Sequence, residues 1–269
     1  MTPATLDLEL VRARRLTVIC DNQWVLDIPD EIPVVGFQHG VAWNKFLALK
    51  DRGTWALARR QARAARRRNV LWVACARWVG EAFARLHGNG AAHVVHYPVD
   101  TERFDGRRDG ADPRLILHDG RTPHKGSLIY PWLSAARPDF RFEPLGCAPE
   151  AVSDRMRQGA AFIHLSSYEG NSVVCNEAMA MNLPCFFTEV GLMHDGFALD
   201  VATVPRSFVY GPFARLRRGQ LLERIDAFLA SLGRRTYAPR AWVEANASIP
   251  VARSRWADAM RSFDALPWR

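Results

Sequence analysis

The chain has 269 residues, 48% of them apolar and 24% charged, which is ordinary for a globular protein and gives ample core for one or two domains. Its net charge of +8 favours a polyanion partner, but only three of its 36 basic residues are lysines, an arginine excess that a GC-rich genome also produces. No apolar run approaches the roughly 20 residues that span a bilayer, and the N-terminus lacks a secretory pattern, so we expect a cytoplasmic protein.

Apolar and β-branched runs alternate with helical patterns along most of the chain. The runs that predict strands lie at 16–20, 32–37, 70–74, 93–96, 115–118, 140–145, 161–165 and 184–187. Helical patterns lie at 54–68, 77–87, 126–136, 150–158, 171–182, 219–232 and 239–264. This alternation of strand and helix predicts an α/β protein with parallel sheets.

A polar stretch at 105–113, DGRRDGADP, is weak in either periodicity and divides the α/β pattern into two halves. We therefore predict a first Rossmann-like domain over 1–104 and a second over 105–239. The cleft between two such sheets is a common place for a nucleotide ligand. The five cysteines are scattered without a Cys-x-x-Cys pair, which indicates neither disulfides nor a zinc site.

The stretch 164–187, HLSSYEGNSVVCNEAMAMNLPCFF, places two glutamates between two apolar runs. The spacing predicts a buried strand, then a turn with Glu169, then a helix that carries Glu177. The free backbone N–H groups at the start of such a helix form a phosphate site, and carboxylates are good acceptors for sugar hydroxyls. Two glutamates alone favour solvated surface positions, because this spacing is common by chance.

The segments SSYEG (166–170) and EAMAMNLP (177–184) resemble the donor-binding signature of the retaining GT-B glycosyltransferases, in which seven residues separate two glutamates. The segment GRTPHKG (120–126) resembles a loop in which that family's Arg and Lys bind the donor diphosphate. Segments 69–83 and 94–104 resemble the strand and turn that end the first domain and the loop that leads into the second. The motifs occur in the family's order. In place of the family's usual glycine stands Asn182, which tolerates a left-handed backbone.

The resemblance implies a GT-B fold of two Rossmann-like domains facing a cleft, the first domain reduced, with a C-terminal helix at about 240–269 packed back on it. It implies transfer of a sugar from a UDP- or GDP-sugar with retention of configuration, without a metal or further cofactor. The implied donor-binding residues are Gly120, Arg121, Lys125, Gly170, Asn171, Ser172 and Glu177. Glu169 is the implied contact to the transferred sugar.

Two further features come from the first half of the chain. His39 follows a predicted strand, and a histidine there can polarise a sugar hydroxyl or take a proton from the acceptor. A structural histidine is equally compatible with the pattern. The segment RRQARAARRR (59–68) puts four arginines on one helical stripe, which is either a solvated face or a docking stripe for lipid headgroups or DNA. The stripe consists of Arg59, Arg63, Arg66 and Arg67.

The acceptor stays open at this point. A glycan or lipid-linked precursor made at the inner face of a membrane is one hypothesis. A modified base in DNA, such as a hydroxymethylated pyrimidine, is a second, and a non-catalytic nucleotide-sugar-binding subunit is a third. A homo-oligomer is likewise left open.

Overall fold

The computed structural model describes residues 6–108, 110–197 and 199–266. Contacts between residues divide the chain into two compact units. The first unit ends at His96 and resumes at Ala252, and the second runs from Tyr97 to Val251. The boundary that the sequence predicts, between 104 and 105, lies eight residues beyond this division.

The first unit is built on a parallel sheet in which each strand pairs with the next one along the chain, in the order β1-β2-β3-β4. Its strands are β1 (Val18–Asp21), β2 (Val34–Gln38), β3 (Val70–Ala74) and β4 (His93–Val94). Its helices are α1 (Leu8–Arg14), α2 (Ala42–Leu49), α3 (Arg52–Ala64) and α4 (Arg77–His87), with a 3-10 turn at Val25–Asp27.

Alternation along the central strands gives this sheet a core on both faces. Val34 and Trp72 pack in one cluster with residues of α1, α3 and α4. Val35 and Val73 point the other way and pack against residues from the end of the chain, including Phe263. Because successive side chains of a strand point to opposite faces, a continuous apolar run such as VLWVA covers both.

The second unit contains a five-stranded parallel sheet in the order β6-β5-β7-β8-β9. The strands are β5 (Asp112–His118), β6 (Arg141–Pro144), β7 (Gly159–His164), β8 (Cys185–Thr188) and β9 (Ala202–Val204). The chain moves from β5 to one side and then returns to the other side at β7. Strand order therefore reverses between β5 and β7, and such a switch point is where doubly wound sheets bind ligands.

Helices follow the strands of this second sheet. They are α5 (Tyr130–Ala136), α6 (Val152–Arg157), α7 (Val173–Ala180), α8 (Arg206–Val209), α9 (Arg218–Ser231) and α10 (Arg240–Asn246). Shorter 3-10 turns lie at Pro123–Lys125, Pro149–Ala151 and Gly191–Asp195. A last helix, α11 (Ile249–Asp264), closes the described chain. In the described ranges, no helix combines the length and apolar character that a membrane crossing requires.

All eight predicted strands overlap strands of the structure, and the prediction of an α/β protein with parallel sheets is confirmed. The predicted helix at 239–264 is wrong as one helix, because it is two, α10 and α11. Pro250 lies in the first turn of α11, where its missing N–H costs nothing, whereas in a continuous helix it would break a hydrogen bond. Four short elements were not predicted: α1, α2, α8 and β9.

The backbone at Asn182 agrees with its predicted tolerance of the left-handed region. Its φ is +52°, just beyond the end of α7. Its side-chain oxygen accepts a hydrogen bond from the backbone N–H of Arg240 at 3.4 Å. Asparagine thus ends α7 where glycine is the commoner choice.

Candidate functional site

The switch point of the second sheet brings two sequence motifs side by side. Strand β5 ends at His118 and runs into the loop 119–126, and β7 ends at His164 and runs into the turn 165–172. Because the two strands are neighbours and parallel, both loops leave the same edge of the sheet. The backbone N–H of Ser167 donates to the carbonyl of His124 at 2.7 Å, which ties one loop to the other.

Asp119 is the charged centre of the first loop. Its side chain is 2% exposed and accepts hydrogen bonds from Arg121 Nε at 2.6 Å and from Lys125 Nζ at 2.8 Å. Burial alone would raise the pKa of Asp119, but the hydrogen bonds from Lys125 and Arg121 bring it below its usual value. One buried carboxylate therefore fixes the two predicted cations relative to each other.

Arg121 and Lys125 differ in how much of each side chain remains available. The Arg121 side chain is 70% exposed, and in the described part of the chain its Nη atoms make no hydrogen bond. Lys125 is 22% exposed and lies 3.8 Å from the Glu169 carboxylate. Burial opposes its charge, but Glu169 and Asp119 raise the pKa of Lys125. The guanidinium can thus pair bidentately with an anion while the ammonium acts as a fixed point charge.

Gly120 lies where no side chain fits. A Cβ at this position would meet the Tyr130 ring at 2.4 Å and His118 Nδ1 at 2.9 Å. The His118 ring stacks on Tyr130 with centroids 3.6 Å apart, and its Nδ1 accepts the Gly120 backbone N–H at 2.9 Å. Burial lowers the pKa of His118 to about 4, so the imidazole is neutral and can accept this bond. The stacked pair therefore shapes the loop that carries Arg121.

Glu169 lies on the turn after β7, with its side chain 15% exposed. Its Oε1 accepts a hydrogen bond from His164 Nε2 at 2.9 Å. Burial opposes the charged forms of both groups. Cys175 and Glu169 nevertheless raise the pKa of His164 to about 10, and His164 and Lys125 lower the pKa of Glu169. Glu169 is therefore an ionised carboxylate held between an imidazolium and an ammonium.

Helix α7 begins beside Glu169 and presents its N-terminus to the same space. Its N-cap, Ser172, has extended backbone and no side-chain capping bond. Asn171 accepts a hydrogen bond from the buried Asn176 side chain at 3.1 Å, which anchors the turn that precedes the helix. The first backbone N–H groups of a helix have no intrahelical acceptor, so those of Val173 and Val174 are suited to an anion.

These groups line one cavity of about 650 Å³, which lies entirely within the second unit. The volume is in the range of about 300 to 1,000 Å³ typical of small-molecule sites. Six predicted site residues line it, and Gly120 and Gly170 are the chain neighbours of lining residues. The six are Arg121, Lys125, Glu169, Asn171, Ser172 and Glu177.

Glu177 lies in the second turn of α7 and faces this cavity. Burial raises its pKa, Arg103 counteracts the rise, and Asp119 adds to it. In the described part of the chain, no hydrogen bond or ion pair engages its carboxylate. Glu177 is thus a partly buried acceptor available to a neutral polar ligand group such as a hydroxyl.

The sequence reasoning did not find several residues of this site. Asp119 stands directly after a predicted strand, which is a usable signal, and His164 is the one polar residue in the apolar run AFIHL. Tyr97 and Arg103 also line the cavity and lie in the segment 94–104, which was matched only as a connecting loop. Among the described residues, no cluster of three or more histidine, cysteine or acidic side chains could hold a metal ion.

His39 belongs to the first unit, directly after β2. Its Nε2 lies 3.3 Å from the Asp21 carboxylate, and its side chain is 44% exposed. Burial lowers its pKa, and Asp21 raises it in part. The placement at a strand end agrees with the sequence, and the imidazole is a half-exposed neutral base.

The arginine stripe expected from the sequence requires a correction at Arg67. Helix α3 ends at Ala64, and the Arg67 side chain turns inward to 5% exposure. Its guanidinium donates to the backbone carbonyls of Val25, Ile28, Pro29 and Ile32 at 2.7, 2.6, 2.8 and 2.5 Å. Of the four arginines predicted on the stripe, Arg59, Arg63 and Arg66 are exposed, and Arg66 lies beyond the end of α3, so the helix itself carries only Arg59 and Arg63.

No protein-family model matches the chain, and no curated protein matches it. Solved structures do resemble it. HepE from Anabaena in complex with UDP-glucose has a TM-score of 0.64 at 14% identity, over 95% of this chain and 81% of that one. Sucrose-phosphate synthase from Thermosynechococcus elongatus has a TM-score of 0.67 at 13% identity, over 98% of this chain and 77% of that one.

A third structure, the lipopolysaccharide outer core galactosyltransferase WaaB, has a TM-score of 0.58 at 14% identity, over 97% of this chain and 79% of that one. These neighbours are GT-B glycosyltransferases, and the likeness confirms the predicted GT-B type of α/β fold with parallel sheets. At such low identity the likeness is one of fold alone.

Proposed function

We propose that this chain is a glycosyltransferase that transfers a sugar from a nucleotide diphosphate sugar of the UDP or GDP type to an acceptor hydroxyl. The observation that carries the proposal is the cavity at the β5/β7 switch point, where two cations, a helix N-terminus and two carboxylates converge. A diphosphate requires the first two kinds of group, and sugar hydroxyls require the third. The complexes of HepE with UDP and with UDP-glucose support the same ligand class.

Each side chain then has a role that its chemistry suits. Arg121 and Lys125 bind the diphosphate and stabilise the charge that develops as it leaves. The first turn of α7, with Gly170, Asn171 and Ser172 before it, holds the phosphate and sugar from the opposite side. Glu169, ionised and fixed by His164, accepts hydrogen bonds from hydroxyls of the transferred sugar. Glu177 accepts those of the ribose.

The reaction breaks the bond between the anomeric carbon and the diphosphate oxygen, and its electron pair leaves with the diphosphate. The acceptor oxygen bonds to the anomeric carbon and gives up its proton to a base. His39 is our candidate for that base, because its imidazole is neutral near pH 7 and half-exposed. The resemblance of the motifs favours retention of anomeric configuration. The two cations support transfer without a metal, and activity that survives a chelator is the matching expectation.

The acceptor that we propose is a glycan or lipid-linked precursor. Transfer to a hydroxymethylated pyrimidine in DNA is the alternative acceptor. Incubating the enzyme with a radiolabelled donor and each class separately distinguishes the two. A chain that binds nucleotide but shows neither transfer nor slow donor hydrolysis would be a binding subunit instead.

The first experiment is a thermal-shift screen of UDP, GDP and their sugars, followed by calorimetry on the nucleotide that stabilises the protein. We expect Arg121→Ala or Glu177→Ala to reduce donor turnover at least ~100-fold, the usual scale for one preorganised charged contact. The matched control is Arg114→Ala, because Arg114 is exposed on the same strand, β5, away from the cavity. Equal turnover in the Arg121 and Arg114 variants would refute the site assignment.

A further inference from the structure

The first unit carries a cluster of four large apolar side chains on the helix pair α2 and α3, two of them exposed and two half-buried. The rings of Trp43, Phe46 and Trp55 contact one another with centroids 5.3 to 5.6 Å apart. Leu47 lies next to Phe46 in the chain and is 53% exposed, and Trp55 is 42% exposed. We name these four residues the aromatic face.

Helices α2 and α3 pack on the first unit through their opposite sides, so the aromatic face points away from its core. Helix α3 buries Thr54, Ala58, Gln61 and Ala64 on its inner side. Helix α2 buries only Ala42, although its sequence, AWNKFLAL, is largely apolar. A helix this apolar is normally covered, since contiguous exposed apolar surface marks an interaction site. Something other than the described residues is therefore expected to cover α2.

Basic residues lie on the same two helices as the aromatic face. Lys45 and Lys50 lie on or directly after α2, and they are two of the three lysines in the chain. Arg52, Arg59 and Arg63 share the exposed side of α3 with Trp55, at spacings of three and four residues. No salt bridge in the described ranges engages any of these five residues, which we name the basic rim.

Acidic groups are scarce on the helix pair itself, although Arg63 lines a pocket together with Asp30 and Glu31. Asp51 is the only acidic residue between 41 and 63. Its carboxylate caps α3 by accepting from the Thr54 N–H at 2.8 Å and from the Thr54 hydroxyl at 3.0 Å. The basic rim therefore has an excess of charge that a negatively charged surface would neutralise.

We propose that the aromatic face and the basic rim dock this protein onto the surface of an anionic lipid bilayer. Tryptophan and phenylalanine insert favourably at the boundary between headgroups and acyl chains, and lysine and arginine beside them attract anionic headgroups. A membrane surface satisfies both halves of this pattern at once. The proposal does not depend on the chemistry of the cavity in the second unit.

A nucleic acid fits the same surface less well. Phosphates would pair with the basic rim, but the backbone of duplex DNA offers little apolar surface to Leu47 or to a cluster of rings, and apolar side chains reach its bases only as wedges that kink the duplex. Single strands stack their bases on separate aromatic platforms. Here Trp43, Phe46 and Trp55 pack against each other instead, so their faces are partly covered.

The test is flotation of the full chain with vesicles of phosphatidylcholine alone and of phosphatidylcholine mixed with phosphatidylglycerol, at low and high salt. We expect flotation only with the anionic vesicles and a loss at high salt, because ions screen the basic rim. Binding should weaken at least ~10-fold in the double variant Leu47→Ser, Trp55→Ser, which loses apolar area at the bilayer. It should weaken by a similar factor in Lys50→Glu, Arg59→Glu, since each basic side chain contributes several-fold near such a surface.

Matched controls use exposed residues of the second unit. Phe213→Ser with Leu216→Ser removes two exposed apolar side chains, and Arg215→Glu with Arg234→Glu reverses two exposed charges. These should float as the wild type does. Equal flotation of the aromatic-face and control variants would overturn the proposal, as would an absence of flotation with anionic vesicles.

A second readout, quenching of tryptophan fluorescence by brominated lipid, reports contact of the aromatic face itself with the bilayer. It uses conservative Trp→Phe substitutions. Brominated phosphatidylcholine in the anionic vesicles should quench tryptophan fluorescence of the wild type. Trp43→Phe with Trp55→Phe should lose most of this quenching while flotation persists. Unchanged quenching would place other tryptophans at the bilayer. Tighter binding of duplex DNA than of vesicles, weakened by the same charge reversals, would also overturn the proposal and assign the surface to nucleic acid.

Discussion

The two sheets place polar residues at their strand ends in different ways. In the first sheet, strand order never reverses among the described strands, and Gln38 at the end of β2 is buried with Asn22 and Gln61. Gln38 Oε1 accepts from Asn22 at 2.7 Å and from Gln61 at 2.9 Å. These amides bond to each other. In the second sheet, the order reverses between β5 and β7, and the strand-end groups face a cavity.

The contrast shows what a binding site needs beyond polar residues. Neutral amides can bond to one another and so hold the fold together, although Gln38 Nε2 has no hydrogen-bond partner among the described residues. A carboxylate that holds two cations leaves donors unused, because guanidinium and ammonium groups carry more N–H bonds than one carboxylate accepts. Arg121 is an example, because it bonds to Asp119 only through Nε and keeps both Nη groups available for a ligand.

Asp119→Asn keeps the shape of the side chain but removes the charge that aligns Arg121 and Lys125. We expect donor turnover to fall on the order of 100-fold, the scale of a misplaced positioning group. Steady-state kinetics with the nucleotide sugar measures this. The control is Asp139→Asn, an exposed carboxylate outside the cavity. Turnover within twofold of the wild type would mean that the cations do not depend on Asp119.

His164→Gln tests the imidazolium beneath Glu169. Since Cys175 and Glu169 raise the pKa of His164 to about 10 against burial, the charged ring stabilises the fold fully below its unfolded pKa of about 6.5. This stabilisation disappears as pH rises through 10. The difference in free energy of unfolding between wild type and variant should therefore be largest near pH 6 and shrink toward pH 10.

Urea unfolding at several pH values measures that difference. A difference that is constant with pH would show that His164 folds neutral. Donor turnover of the variant should fall less than in Asp119→Asn, because Lys125 still lies 3.8 Å from the Glu169 carboxylate.

Gln61→Met breaks the amide cluster of the first sheet. It removes the acceptor of the Ala42 N–H and the donor to the Gly40 carbonyl, each at 2.9 Å. We expect a loss of about 1–3 kcal/mol in the free energy of unfolding from the buried groups left without partners. The nucleotide Kd should not change. Gln220→Met, at an exposed position, is the stability control, and a weakened nucleotide affinity would contradict the division of roles between the sheets.

Much of the fold and of the cavity could be predicted because the signals are local. Apolar runs bounded by turns mark the strands, and a strand end followed by charged residues marks where ligands bind. Arg121 and Glu177 were predicted from the resemblance of their motifs to the glycosyltransferase donor signature, and the structure brings both to one cavity. Their roles toward a donor remain predictions.

The remaining features depend on neighbours that are distant in the sequence. Nothing in AFIHL tells that His164 contacts Glu169, because the contact requires the turn to fold back over the strand end. Arg67 was predicted on an exposed stripe because its spacing from Arg63 fits a helix. The helix ends earlier, and carbonyls from residues 25–32 draw the side chain inward. Spacing alone cannot identify such a distant acceptor.

Arg67 has a consequence for how the first unit holds together. Its guanidinium joins four carbonyls that are 35 to 42 positions away in the chain, so a single side chain clasps a loop that has little regular structure of its own. A disulfide over such a distance would also restrict the unfolded chain. The hydrogen bonds of Arg67, in contrast, exist only in the native state and are lost on unfolding. The loop is therefore ordered only while the surrounding fold is intact, and it unfolds together with that fold.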